Sequence, residues 1–193
     1  MDFTQGTFQE KHNRAKKMML WFGIISLIMS FAGWTSAFVV SSTREDWLND
    51  FQLPNAFIIS TIVVIISSLT FMMAHKALKN NQRQQTMVWL LVTFALGVAF
   101  ITNQFLGFNE IIAMGYNFTG PTSNVTMSYI YLIAMVHIVH VIAGLVCILV
   151  VIYNHFKQKY NAEERTGFEL AATFWHFIDI LWVYLFLFLY FVG

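Results

Sequence analysis

Five long apolar stretches, each fenced by polar residues, organise this chain of 193 residues. Met18 to Val40 runs without a charge behind the basic cluster Lys11, Arg14, Lys16 and Lys17, and Asn55 to Ala74 follows Leu53-Pro54, where proline is tolerated at a first helical turn. Met87 to Phe108, Thr126 to Ile152 and Glu169 to Val192 complete the set. A helix needs about 20 apolar residues to cross a hydrocarbon core of roughly 30 Å. The pattern therefore predicts an all-α fold, an integral membrane bundle of five transmembrane helices forming a single domain over 1–193, with spans at approximately 18–40, 55–74, 87–108, 126–152 and 169–192. Between them lie an acidic loop with Arg44, Glu45, Asp46 and Asp50, a basic linker with Lys76, Lys79 and Arg83, a turn-rich segment with Gly115, Gly120 and Pro121, and a mixed-charge linker from Asn154 to Gly167.

Charge gives the bundle a direction. Ten of the eleven Lys and Arg lie in the N-terminal segment and the second and fourth linkers, and only Arg44 lies on the other side. The positive-inside rule then puts the N-terminus in the cytoplasm and the C-terminus outside. The first apolar run is longer than the core of a cleaved signal peptide, so it is counted as a span. A composition 58% hydrophobic and 11% charged excludes a soluble class, and the basic residues follow the topology, so no nucleic-acid partner is expected. Cys147, the single cysteine, permits no disulfide within the chain.

Candidate chemistry is confined to a few polar groups inside apolar runs. In the last span, Glu169, Thr173 and His176 fall within a narrow helical arc with Asp179 beside it, and an intramembrane carboxylate marks a functional-site hypothesis. His176 and Asp179 are spaced to touch or to share a partner. His137 and His140 share a face of the fourth span, but two imidazoles without a third ligand make a poor metal site. A haem held between His140 and His176 is disfavoured by depth, since they lie about 13 and about 7 residues, or roughly 20 and 10 Å, from the inner membrane face. The expected role is interhelical hydrogen bonding: His137, His140, Glu169, His176 and Asp179 as a polar seam fixing the last two spans to each other or to a partner, each imidazole meeting a Ser, Thr or carbonyl on a neighbouring span. Gly23, Ser26, Ser30, Gly33 and Ser36 of the first span are expected to admit a closely packed helix. His75, Lys76, Lys79 and Arg83 are candidate contacts for lipid headgroups. A single central carboxylate and an odd number of spans disfavour a small stand-alone transporter.

Several of these residues carry a resemblance. Gly167-Phe168-Glu169, Trp175-His176-Phe177, Asp179 and Trp182 with the aromatic tail resemble the C-terminal signature of subunit III of the haem-copper oxidases, the cytochrome c oxidase subunit III family in its five-span bacterial type. His137 to Gly144 is similar to the family's HxxHVxxG stretch. Leu96-Gly97-Val98 with Gln104 and Glu110, and Leu53-Pro54 through Ala74-His75, look like two further family helices. The resemblance implies a subunit of the bacterial cytoplasmic membrane with no cofactor of its own. It packs against catalytic subunit I and subunit II, which carry the haem and copper, and it binds phospholipid and sustains proton uptake. The complex implied is an aa3-type, proton-pumping cytochrome c oxidase reducing O2 to water in aerobic respiration, with a larger respiratory supercomplex as a further partner; a quinol oxidase or a nitric oxide reductase-associated subunit is the alternative. Two departures stand out. The family's longer members have seven spans enclosing a lipid cleft, whereas five are present here, and Leu27 stands where many relatives carry a buried glutamate.

Overall fold

The computed structural model describes residues 7–45, 47–48, 53–118, 120, 123–160 and 165–192, so the loop residues Asp46, Asp50 and Pro121 lie outside the described residues. The described residues form five helices: α1 (Phe8–Ser41), α2 (Asn55–Lys79), α3 (Arg83–Ala113), α4 (Val125–Phe156) and α5 (Thr166–Val192). All five are long and apolar enough to cross a membrane.

The helices overrun the apolar stretches because hydropathy marks where lipid begins, not where helical hydrogen bonding stops. α1 starts ten residues ahead of Met18, at a capping box in which Thr7 Oγ1 accepts from Glu10 N at 3.4 Å and Glu10 Oε2 accepts from Thr7 N at 2.8 Å. Asn124 caps α4 by accepting from Thr126 N at 2.9 Å. α3 closes with Gly115 at φ 92°, a left-handed residue suited to glycine, and Tyr116 N bonds back to Ile111 O.

α2 and α3 form a tight antiparallel hairpin, and α5 lies against α2, α4 and α1. α3 also packs on α4, whereas α1 meets only α4 and α5 among the described residues. The shared core is aromatic, with Phe31, Phe38, Phe71, Phe100, Phe168, Trp175 and Trp182 all at 2% exposure or less. Outward faces carry Ile, Val, Leu and Met, such as Ile62, Leu69, Val139 and Ile180, which is the surface a lipid-embedded bundle presents. Among the described residues the small-residue stripe of α1 serves no helix contact. Gly23, Ser26, Ser30, Gly33 and Ser36 are exposed, and a Cβ added at Gly23 or Gly33 would meet nothing within 4 Å.

Candidate functional site

The bundle closes around one side chain, Trp175 of α5. Its indole Nε1 donates to Ser67 Oγ of α2 at 3.0 Å. The ring's edge fills a notch that exists only because α3 and α4 carry glycine there. A Cβ on Gly97 would lie 2.8 Å from Trp175 Cη2, and one on Gly144 would lie 2.9 Å from Trp175 Cε3. One residue thus joins α2, α3, α4 and α5. Two turns further along α5, Trp182 Nε1 donates to Thr61 Oγ1 of α2 at 3.1 Å. Between these indoles, Ser68 Oγ of α2 meets His176 Nδ1 at 2.6 Å. Indole and imidazole donors in hydrocarbon require acceptors, and α2 supplies them as hydroxyls on the side facing α5. α2 is in turn tied to α3 by Thr70 Oγ1 and Thr93 Oγ1 at 2.8 Å.

Asp179, one turn further along α5 than His176, lies on the same α2-facing side as Ser68. Its Oδ2 has no partner although Asp179 is only 4% exposed.

The five polar residues grouped by the sequence occupy separate places. His176 and Asp179 both face α2 rather than α4, His176 through its contact with Ser68 and Asp179 beside the same serine. Glu169 is at the helix entrance, where Oε1 lies 2.8 Å from Arg165 Nε and Oε2 3.3 Å from Lys17 Nζ, binding α5 to α1. His140 bonds the carbonyl of Val136 in its own helix at 2.7 Å and lies against Phe31. His137 is fully buried among Phe31, Phe100 and Trp182, and neither ring nitrogen has a partner. The expectation that every imidazole would meet a Ser, Thr or carbonyl of another span therefore holds for His176 alone of these three. Aromatic faces and edges surround His137 instead, so its contacts are those of a ring. Among the described residues no three His, Cys, Asp or Glu side chains gather as metal ligands.

At the α2–α3 turn, Lys76 and Lys79 are exposed and His75 packs on Phe168. Arg83 is drawn into a clasp: its Nη2 donates to His155 O at 3.0 Å while His155 Nε2 lies 3.1 Å from Arg83 O. Sequence reasoning missed the Trp175 seat and the Ser67 and Thr61 acceptors. The available signal was the pairing of two indoles a heptad apart on α5 with hydroxyls on one face of α2. Gln104, named only as part of a helix motif, is fully buried with its amide atoms without partners.

Comparison with known proteins matches the chain to the family described as "Cytochrome c oxidase subunit III" over residues 2–193. Subunit 3 of the cytochrome bo(3) ubiquinol oxidase of Pseudomonas aeruginosa is 32% identical over 143 residues, 74% of this chain and 66% of that protein. Cytochrome c oxidase subunit 3 of Bacillus sp. (strain PS3) is also 32% identical over 143 residues, covering 74% and 67%. Cytochrome c oxidase subunit 3 of Pelomedusa subrufa is 30% identical over 207 residues, covering 98% and 76%. The chain thus spans about two thirds of the two bacterial relatives. Because the family match runs through all five helices, including the α5 motif that seats Trp175 and His176, the chain belongs to the subunit III family of the haem-copper oxidases and is a multi-pass membrane protein.

Proposed function

We propose that this chain is the non-catalytic subunit III of an aa3-type cytochrome c oxidase that reduces O2 to water and pumps protons in a bacterial cytoplasmic membrane. The observation that carries the reading is the family match over residues 2–193, on a bundle whose helices are joined by buried bonds such as Trp175 to Ser67 and His176 to Ser68. The chain packs against subunits I and II, which hold the haem and copper. It keeps the catalytic subunit stable and its proton uptake sustained over many turnovers. The N-terminus is cytoplasmic and the C-terminus outside, as the distribution of Lys and Arg supports. Phospholipid binds at the cytoplasmic rim, where exposed Lys76 and Lys79 offer cations to anionic headgroups.

A quinol oxidase is the second reading, favoured by the similarity to the Pseudomonas aeruginosa bo(3) subunit. Donor docking belongs to other subunits, so the two readings separate on the complex. Tagged chain purified in mild detergent should bring down an a-type haem protein with a CuA subunit. Haem without CuA would establish the quinol reading, and a colourless chain without partners would refute both.

A further inference from the structure

Between α2 and α5 the bundle surface carries a groove of about 260 Å³, in which Leu69, Met72, Ile180 and Val183 surround Ser68 and Asp179. Leu69 is 50% and Ile180 68% exposed, so the groove opens outward from the bundle. Asp179 lies 13 residues from each end of α5, or roughly 20 Å of helix either way, which puts it near the bilayer midplane. Asp179 lines the groove beside Ser68, and its Oδ2 is buried without a partner.

A polar atom left alone at that depth costs several kcal/mol in a lipid environment. Acyl chains have no group to offer it. Phospholipid headgroups, which do, are held at the membrane faces, about half a hydrocarbon thickness away. A transmembrane helix meets both requirements, because it fills an apolar groove and can carry a polar side chain at mid-depth. A hydroxyl or carboxamide on that helix can donate to Oδ2 when it is an acceptor and accept from it when it is protonated. Met72, unbranched, flexible and 49% exposed, is the rim residue able to move aside.

We propose that the α2–α5 groove seats a transmembrane helix of another oxidase subunit, which places a hydroxyl or carboxamide side chain against Asp179. The proposal rests on the subunit reading given above and names the face through which that subunit is held.

The test uses the assembled complex in its membrane, with a benzophenone-bearing residue in place of Leu69 or Ile180. Illumination should join the chain to a transmembrane segment of a different subunit, within about one helical turn of a Ser, Thr, Asn, Gln or Tyr. In the Asp179→Asn background the adduct should persist, and in Asp179→Leu its yield should fall several-fold. Adducts to lipid alone, to a second copy of this chain, or to a segment with only apolar residues at that depth would overturn the proposal, as would an unchanged yield in Asp179→Leu. Should Asp179→Leu fail to fold, the adduct's identity in the otherwise unaltered chain still decides. Co-purification of a haem protein in the same samples separates failure of the groove from failure of the subunit reading.

Discussion

Gly144→Ala is the sharpest test of the Trp175 seat. The added methyl would lie 2.9 and 3.0 Å from two indole carbons and 3.2 Å from Ile178 Cδ1, where ordinary contacts are several tenths of an ångström longer. The ring cannot simply retreat, because its far edge faces Gly97 and its Nε1 is held 3.0 Å from Ser67 Oγ. Overpacking of this kind costs about 1–3 kcal/mol, offset by up to about 1 kcal/mol from replacing glycine within a helix. The net loss of about 1–2 kcal/mol lowers the folded-to-unfolded ratio roughly 5- to 30-fold. Unfolding in detergent, followed by tryptophan fluorescence, measures it, with Gly33→Ala as the control because nothing lies within 4 Å of that site. Trp175→Phe provides the second arm. The smaller ring makes room for the methyl, so the double variant should be more stable than the sum of the single losses by about 1 kcal/mol or more. Equal behaviour of Gly144→Ala and Gly33→Ala, or simple additivity with Trp175→Phe, would refute the seat.

Further outcomes follow from neighbouring groups. Thr61→Val removes the acceptor of the Trp182 indole and should cost about 0.6–1.7 kcal/mol in the same unfolding assay. His137→Phe should be neutral or stabilising there, because both ring nitrogens already lack partners and an apolar ring keeps the aromatic contacts. Glu169→Gln weakens the tie to Lys17 and Arg165, but these side chains are 30–51% exposed; the loss should stay below about 1 kcal/mol and vanish in high salt. Leu27→Glu puts a carboxyl into the first span and should lower the yield of assembled complex without raising turnover, measured by purification and oxygen uptake.

The five spans were legible in the sequence because a run of about 20 apolar residues has few other uses. The helix ends were not, since α1 continues outward from the membrane on a capping box and charged turns that hydropathy counts as loop. The polar residues of α5 were visible, but their partners were not. Ser68 precedes His176 by 108 residues and Lys17 precedes Glu169 by 152, so each pairing depends on how α1 and α2 lie against α5. The same holds for Gly97 and Gly144, whose spacing along their own helices says nothing of an indole arriving from a third. His137 went the other way: a buried imidazole suggests a hydrogen-bond partner, and the structure surrounds it with aromatic rings.

The central proposal is that this chain supports a catalytic centre held by other subunits. It is tested most directly by purifying the oxidase from cells lacking the chain and recording oxygen uptake through many turnovers, with and without the chain added back. The account predicts a near-normal initial rate that decays during turnover and is sustained again once the chain is restored. An oxidase that is inactive from the first turnover, although its haem spectrum is intact, would contradict it.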